Sequence, residues 1–386
     1  MNCIEKYGMI LRNGSDNMIY FDYSATTPVN DTVLETFVKA SKELFYNPNS
    51  LYPEAKKTSD LIEKTSERIK AHLHLPNHEV IYLSGASEAN NLAIKGVAYK
   101  NQTLGKHLIM SPFEHSSVSA CFGYLQKQGF LVDVVKTLNN GLVDLDDLKS
   151  LMREDTILVS ICGVSSELGI VQPIEEISQI VHQYPNATFH SDMTQAIGKT
   201  AVKLDFVDLI SMSAHKIYGL KGIGALFRRE NVKMIPLIHG GKSTSKLRSG
   251  TPPTPLILSL EKAIDIATSE LPKNYITLQK YHNLLLFGLE DLPGVSVNSP
   301  LGSIPHITNI SVMAMQAKDM QAYLAENDVY VSTQTACSSD DSRSEVVYRL
   351  TKSETKARTS IRISLSHLTT VEEIERLVDL IRAVAI

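Results

Sequence analysis

The sequence predicts an α/β protein: a large domain with a mostly parallel sheet between helices, joined to a smaller α+β domain. Between residues 80 and 227, short apolar runs alternate with segments of helical periodicity. Strands that alternate with helices of about 10–15 residues imply βαβ units and a parallel sheet. The chain has 386 residues, whereas single cores stop growing near about 250–300 residues. Beyond residue 255 the pattern changes, which indicates a second domain.

The predicted elements can be placed in chain order. Apolar residues recur at helical spacing in two early segments, Thr32–Leu44 and Ala55–Leu73. Seven apolar runs are predicted as the strands of the main sheet: Val80–Leu83, His107–Met110, Leu131–Val135, Thr156–Cys162, Thr188–His190, Leu209–Met212 and Gly224–Phe227. Helices between them start near Ser87, Ser116, Leu145 and Pro173. The remainder is predicted to be helical from Pro255 to about Asp291, followed by strands Ile307–Val312, Val329–Ser332 and Ser360–Leu365 and a last helix, Val371–Val384.

These patterns predict three regions. Residues 1–17 form a tail without periodicity, residues 18–260 a large domain, and residues 261–386 a small domain. The N-terminal segment of the large domain begins with the strand-like Ile19-Tyr20-Phe21. We expect it to pack either within that domain or with the small one.

Charge and composition argue against several classes of protein. The chain has 38 basic and 42 acidic side chains, a net charge of −4, with the signs interspersed. We therefore expect neither nucleic acid nor an acidic membrane as a principal partner. No apolar run reaches the length of about 18–20 residues of a membrane helix, and the N-terminus does not resemble a signal peptide. The sequence favours a soluble, cytoplasmic protein.

The four cysteines are Cys3, Cys121, Cys162 and Cys337, without a Cys-x-x-Cys pair. This spacing argues against a zinc site and against a disulfide framework, so no metal is expected. Cys121 and Cys162 lie in apolar patterns and are predicted to be core residues. Cys3 lies in the tail, and no role is predicted for it.

Polar residues follow several predicted strands of the main sheet. Ala86 and Ser87 follow a strand and open a helix, which is typical of a phosphate site and equally of an ordinary helix cap. His115 follows the next strand along the chain, where an imidazole either stacks on a ligand or is structural. Asp192 and Gln195 follow a third strand, and the ordinary role of such an aspartate is helix capping. Lys216 follows a fourth, as a surface charge or a Schiff-base nucleophile.

Carboxyl ends of parallel strands meet at one edge of a sheet, where ligands bind. A phosphate loop, an imidazole, an acid with an amide, and an amine at one edge are what pyridoxal phosphate (PLP) requires. Taken together, these residues predict a PLP site.

Five segments resemble a known family in order and spacing. They are Phe21-Asp22-Tyr23-Ser24-Ala25-Thr26-Thr27-Pro28, Asn47-Pro48-Asn49-Ser50, Asp192-x-Thr194-Gln195, Ser213-Ala214-His215-Lys216-Ile217-Tyr218-Gly219 and Leu247-Arg248-Ser249-Gly250-Thr251. The chain resembles the cysteine desulfurases, a class V aminotransferase-like branch of the fold type I PLP enzymes, from about residue 19 to its C-terminus. The resemblance implies the fold of those transferases.

The resemblance also implies the roles of individual residues. Lys216 is expected to bind PLP as an internal aldimine and to remove the substrate's α-proton. Asp192 is expected to pair with the pyridine nitrogen, His115 to stack on the ring, and Gln195 to donate to the phenolic oxygen. The phosphate is assigned to Ala86, Ser87, Ser213 and His215. Thr251 is expected to reach the phosphate of the neighbouring subunit, which implies a homodimer, and Arg362 to bind the substrate α-carboxylate.

Cys337, in Thr335-Ala336-Cys337-Ser338-Ser339, determines the reaction that the resemblance implies. Its polar surroundings predict an exposed thiol, which is either incidental or functional. In the family this cysteine attacks the sulfur of L-cysteine, giving alanine and a persulfide. The sulfur then passes to an acceptor protein, a scaffold for iron–sulfur clusters or an enzyme that thiolates tRNA or a cofactor.

One departure from the family bears on the substrate. Its Asn-Asn-Glu-Thr-Gly-like motif reads Ser165-Ser166-Glu167-Leu168-Gly169 here, so Ser166 stands where an asparagine holds cofactor and substrate carboxylate. A hydroxyl has one donor where an amide has two. Two other functions therefore stay open beside the desulfurase: a related lyase or aminotransferase for another amino acid such as selenocysteine, and a non-catalytic homologue.

Overall fold

The structure is a computed structural model, and it describes residues 18–241, 243–333 and 343–385. The chain divides into two compact units. The large unit comprises Thr26–Ser166 and Ile170–Tyr275. The small unit comprises the described parts of Met1–Ala25, Glu167–Gly169 and Ile276–Ile386. The predicted tail, Cys3 and Cys337 lie outside the described residues, and the predicted domain boundary at residue 260 stays a prediction.

A seven-stranded sheet forms the centre of the large unit. Its strands in chain order are β2 (His78–Leu83), β3 (His107–Met110), β4 (Leu131–Val134), β5 (Thr156–Ser160), β6 (Thr188–Asp192), β7 (Leu209–Ser213) and β8 (Gly224–Arg229). Their order across the sheet is β2-β8-β7-β6-β5-β3-β4. β8 runs antiparallel to both of its neighbours, and the other pairings are parallel. The mostly parallel sheet predicted from the sequence is thus confirmed.

Seven helices of the large unit have these bounds: α1 (Asp31–Glu43), α2 (Pro53–His72), α3 (Ala86–Asn101), α4 (Ser116–Lys127), α5 (Leu145–Leu151), α6 (Ile174–Val181) and α7 (Thr254–Ser269). The apolar side chains of α3 and α4 form one core with those of the sheet. Cys121 is 2 % exposed and Cys162 4 %, which confirms both as core residues. Strands β5, β6 and β7 are buried throughout, as central parallel strands are when helices cover both faces.

The small unit has its own core and two small sheets. β1 (Ile19–Tyr20) pairs in parallel with β11 (Val329–Tyr330), and β10 (Ile307–Val312) lies between β9 (Val295–Val297) and β12 (Ser360–Ser364). Helix α8 (Leu271–Leu289) begins in the large unit and continues into this one. The other helices are α9 (Ala317–Glu326), α10 (Glu345–Thr351), α11 (Glu354–Arg358) and α12 (Val371–Val384).

The segment predicted to be helical from Pro255 to about Asp291 is helical in the structure. Two helices occupy that segment, α7 and α8, and the break falls at Glu270. Pro272 lies in the first turn of α8 and has no N–H, so it starts a new helix rather than continuing the old one.

No helix in the described part of the chain combines the length and apolar character that crossing a membrane requires.

Candidate active site

The candidate residues of the large unit lie at the carboxyl edge of its sheet. Asp192 is the last residue of β6, and Ser213 is the last residue of β7. His115 caps the N-terminus of α4, which follows β3. Lys216 ends the short 3₁₀ turn Ala214–Lys216 that follows β7. The structure thus brings these sequence-predicted residues to one edge of one sheet, where ligands of open α/β folds bind.

The N-terminus of α3 forms a tight loop against β7 and β8. The Ala86 N–H donates to Ser213 Oγ at 2.7 Å. A Cβ at Gly224 would lie 2.4 Å from the Met212 carbonyl oxygen and 2.7 Å from Gly85 Cα, so only glycine fits there. Ser87 occupies the first turn of α3, where N–H groups lack intrahelical partners and the helix dipole favours an anion.

Glu88 connects this loop to the segment that precedes Thr251. Its carboxylate accepts from the Ser84 N–H at 2.7 Å and from Arg248 Nε at 3.1 Å. Burial opposes the charged form, but the donors at Ser84 and Arg248 outweigh it and lower the pKa of Glu88. Thr251 itself is exposed.

Asp192 is a buried acid with a partner on each oxygen. Its side chain is 7 % exposed. Asn90 Nδ2 donates to Oδ2 at 2.7 Å, and the Thr194 N–H donates to Oδ1 at 3.0 Å. Two donors match an ionised carboxylate, which only accepts hydrogen bonds. The site therefore offers a fixed negative charge for a protonated ring nitrogen.

Ser117 fixes the ring of His115. The Ser117 N–H donates to His115 Nδ1 at 3.1 Å, so Nδ1 is an acceptor and a neutral ring carries its proton on Nε2. Ser117 Oγ lies 2.8 Å from the same nitrogen. Asn90 Nδ2 donates to that hydroxyl at 2.9 Å. The imidazole and the acid thus share a neighbour, Asn90.

His215, next to Lys216, is held in its neutral form. Burial, followed by the nearby charges of Lys216, Lys221 and Lys199, lowers the pKa of His215 to about 4. Its carbonyl oxygen accepts from the N–H and the hydroxyl of Thr27, both at 3.0 Å. An imidazole among several ammonium groups is suited to donate to an anion such as a phosphate.

Gln195 is also buried, and Lys199 determines which end of its amide accepts. Lys199 Nζ donates to Gln195 Oε1 at 2.5 Å, and Lys199 is only 7 % exposed. An ammonium can only donate, so the amide oxygen must point to it. Nε2 is therefore the end that can donate to another acceptor.

Glu114, which precedes His115, is a second acid near Asp192. Its Oε1 accepts from Ser111 Oγ and from the Cys162 N–H, both at 2.7 Å. Burial is the main reason that the pKa of Glu114 is raised to about 8; these two donors oppose the shift and the charge of Asp192 adds to it. Glu114 is thus a protonated acid at neutral pH.

The small unit contains Arg362, on β12. It is 2 % exposed, and its Nη2 donates to Asp22 Oδ1 at 2.7 Å. Its backbone N–H donates to the Ser332 carbonyl at 2.6 Å. The pair with Asp22 holds the Nη2 end of the guanidinium group. Ser166 is the last residue of one large-unit segment, and Cys337 lies outside the described residues.

The donors and acceptors of the large unit fit PLP. The α3 N-terminus, Ser87, Ser213 and a neutral His215 match a phosphate group. The buried Asp192 carboxylate matches a pyridinium nitrogen, and the Gln195 amide matches a phenolic oxygen. Lys216 supplies the amine. Each polar group of the cofactor has a counterpart of the right chemistry.

Sequence reasoning missed four residues of this site: Asn90, Ser117, Lys199 and Glu114. Asn90 and Ser117 lie in helical patterns, in which a polar residue is usually exposed. The sequence offered no signal for Asn90, since α3 carries other polar residues such as Asn91 and Lys95. Glu114 directly precedes His115 in the sequence, but its position alone does not predict a buried acid, and nothing in the sequence pointed to Lys199.

Comparison with known proteins gives matches over most of the chain. Residues 19–377 match the model of the family described as aminotransferase class-V. A cysteine desulfurase IscS of Dictyoglomus turgidum is 37 % identical over 371 residues, 95 % of this chain and 94 % of that protein. A solved NifS-like protein is 33 % identical with a TM-score of 0.88, over 95 % of this chain and 99 % of that one. The solved structure of SspA in complex with cysteine is 34 % identical, with a TM-score of 0.79, over 91 % and 100 % of the two chains.

Proposed function

The chain belongs to the aminotransferase class-V family, in its cysteine desulfurase branch, and from this membership we propose that it is a PLP-dependent enzyme that removes sulfur from L-cysteine. The products are L-alanine and a persulfide on Cys337. The observation that carries the proposal is the set of strand-end residues Asp192, Ser213 and Lys216 at one edge of the sheet. The sequence-based prediction of a PLP-dependent desulfurase agrees with the family.

Residues of the large unit hold the cofactor in this proposal. Ala86, Ser87, Ser213 and His215 bind its phosphate, and Lys216 binds its aldehyde carbon. Asp192 pairs with its ring nitrogen, and His115 lies against the ring. Gln195 donates from Nε2 to the phenolic oxygen, because Lys199 occupies Oε1. When bound, the cofactor supplies an electron sink for the substrate's Cα.

Three residues act on the substrate. Arg362 binds the α-carboxylate through its planar fork of donors, which Asp22 orients. Ser166 donates one hydrogen bond where other desulfurases have an amide. Lys216 Nζ takes the proton from Cα and returns a proton when alanine forms.

Cys337 performs the sulfur transfer. Its thiolate forms an S–S bond to the substrate sulfur, and the substrate's C–S bond breaks. The electron pair of that bond stays with carbon, which is reduced to the methyl group of alanine after protonation. The transferred sulfur is the oxidised product, a sulfane sulfur on Cys337, and no external oxidant is needed. An acceptor protein then takes this sulfur for iron–sulfur cluster assembly or for thiolation of tRNA or a cofactor.

A homodimer in the cytoplasm is part of the proposal. Apolar side chains at and after α1 are exposed, including Leu34 at 42 %, Phe45 at 74 % and the fully exposed Leu51. A surface of this kind is typical of an interface. In a homodimer, the exposed Thr251 is assigned to the phosphate of the neighbouring subunit. Phe45→Asp should convert a dimer to a monomer in light scattering; a wild-type chain that is monomeric at all concentrations contradicts this assignment.

The function is tested with purified protein, L-cysteine and a thiol reductant. We expect stoichiometric alanine and sulfide, and a visible absorbance band from bound PLP. Lys216→Ala should lose the band and the turnover, whereas Lys203→Ala, an exposed lysine paired with Glu175, should keep both. A substrate panel that includes selenocysteine measures how Ser166 affects the choice of amino acid. Absence of a band, with none restored by added PLP, would identify a non-catalytic homologue.

A further inference from the structure

We propose that Asn90 is a positioning residue that fixes both the acid and the imidazole of the cofactor site through one amide nitrogen. Asn90 lies in the second turn of α3 and is fully buried. Nothing in the sequence pattern marks it, because other polar residues occur on the same helix. The inference rests on the proposed function, since it assigns Asn90 to the PLP that Asp192 and His115 contact.

The hydrogen-bond directions around Asn90 are determined by its partners. Nδ2 has two hydrogens and no acceptor capacity. One hydrogen goes to Asp192 Oδ2 at 2.7 Å and the other to Ser117 Oγ at 2.9 Å. A flipped amide would turn an oxygen towards an acceptor-only carboxylate, which excludes that orientation. Both donors of Nδ2 are therefore used on residues of the site.

The bond to Ser117 sets the state of His115. The Ser117 N–H can only donate, so His115 Nδ1 carries no proton. The hydrogen between Ser117 Oγ and Nδ1, which are 2.8 Å apart, must then belong to the hydroxyl. Its oxygen is left to accept from Asn90. Donation therefore runs from Asn90 Nδ2 to Ser117 Oγ and from that hydroxyl to His115 Nδ1, so Asn90 holds the hydroxyl that contacts the ring.

The amide oxygen of Asn90 indicates that the residue serves the site through its two N–H donors. Within the part of the chain that the structure describes, the buried Asn90 Oδ1 has no hydrogen-bond partner. A buried acceptor without a partner is unfavourable, and an apolar side chain at this position would avoid that cost. The amide is thus placed for its two donors. Removing these donors would leave Asp192 with one hydrogen-bond donor, the Thr194 N–H, and Ser117 Oγ without the bond from Asn90.

Asn101 supplies a matched control on the same helix. It is also buried, at 9 % exposure, and its Nδ2 also makes two bonds, to the carbonyl oxygens of Val97 and Lys233. It lies at the C-terminal end of α3, away from the sheet edge that carries the site. Asn101→Leu therefore measures what loss of a buried, doubly bonded asparagine does to stability alone.

The experiment uses the full-length protein, stripped of PLP and titrated with PLP while the visible band is recorded. For Asn90→Leu we expect affinity for PLP to fall about tenfold or more, because the hydrogen bond to the charged Asp192 is lost. The absorbance maximum of bound PLP should also shift. Asn90→Asp keeps the volume but replaces the donor, and should show the same loss if the leucine variant does not fold. Asn101→Leu should match wild-type affinity within about twofold even if its unfolding midpoint falls.

Two results overturn the inference. One is an Asn90→Leu or Asn90→Asp variant with the absorbance maximum and PLP affinity of the wild type. The other is an Asn101→Leu variant that loses as much affinity as the Asn90 variants. A wild-type protein that does not bind PLP contradicts the proposed function itself, and the inference with it. Binding by wild type together with unaffected Asn90 variants contradicts the inference alone.

Discussion

Lys199 donates from its ammonium group to the amide oxygen of Gln195, and both side chains are buried. This contact leaves Gln195 Nε2 as the end of the amide that can donate to another acceptor. It also adds a positive charge near His215, whose pKa is lowered first by burial and then by Lys216, Lys221 and Lys199.

Lys199→Met keeps the length of the side chain and removes the donor. We expect Gln195 to lose its fixed orientation, so that kcat falls by about tenfold while KM for L-cysteine changes less. The visible maximum of the loaded enzyme should shift as well, because the amide is assigned to the phenolic oxygen. Lys203→Met is the control. Identical spectra and kcat values for the Lys199 variant and wild type would contradict the role of this contact.

Glu114→Gln tests whether the buried acid is protonated. The folded-state pKa of about 8 lies above the unfolded value, so the folded protein holds a proton that the unfolded chain releases. This stabilising effect is lost as pH rises from about 4.5 to about 8. Glutamine mimics the protonated acid, since its Oε1 can accept from Ser111 and Cys162.

Urea unfolding at two pH values measures this effect. At pH 4.5 the glutamine variant should come close to wild type, and at pH 9 it should be more stable by about 2–5 kcal/mol. The exposed Glu290→Gln controls for loss of a surface charge. A Glu114→Gln variant that is destabilised equally at both pH values argues against a protonated Glu114.

His190 predicts a loss of stability in acid. It is fully buried between Ser160 Oγ and Ser211 Oγ, at 2.8 and 3.0 Å, and burial lowers its pKa to about 4, although the charge of Asp192 opposes the shift. Between pH 6.5 and 4 the unfolded chain binds a proton that the folded protein does not. The free energy of unfolding should therefore fall over this window, by about 1–3 kcal/mol.

The contribution of His190 is isolated by substitution. His190→Gln should flatten the dependence of unfolding free energy on pH between 6.5 and 4, whereas the exposed His74→Asn should leave it unchanged. If wild type and His190→Gln have parallel curves across this window, His190 is not the source of the acid sensitivity.

Arg362→Lys separates substrate binding from the chemical step. Lysine keeps the positive charge but loses the planar fork, so KM for L-cysteine should rise by about tenfold or more. kcat at saturation should change less, and PLP binding should not change. Arg358→Lys, in the exposed pair with Glu354, is the control. An unchanged KM for the Arg362 variant would mean that another residue binds the carboxylate.

The main sheet could be predicted from sequence because most of its strands are short apolar runs, and the central ones are buried throughout. Predicted Leu209–Met212 corresponds to the observed Leu209–Ser213, and Thr188–His190 extends to Asp192. The candidate residues could be placed at strand ends for the same reason. β9 was missed, because it has only three residues, Val-Ser-Val, and a run this short has no readable periodicity.

The supporting residues of the site could not be predicted because their contacts are distant in sequence. Asn90 and Asp192 are 102 positions apart, and the bond depends on how α3 packs on the sheet. A local pattern contains no information on such a pair. Lys199 is a charged residue that sequence reasoning places on the surface, and only the fold shows that it is buried beside Gln195.

The most direct test of the proposed reaction is to map sulfur on the protein after a single turnover. Protein is mixed with one equivalent of L-cysteine without reductant, thiols are alkylated, and peptides are analysed by mass spectrometry. The account predicts one extra sulfur on Cys337, alanine in equal amount, and none on the buried Cys121 and Cys162. Alanine formed with no sulfur on Cys337, or a Cys337→Ser variant with full turnover, would contradict it.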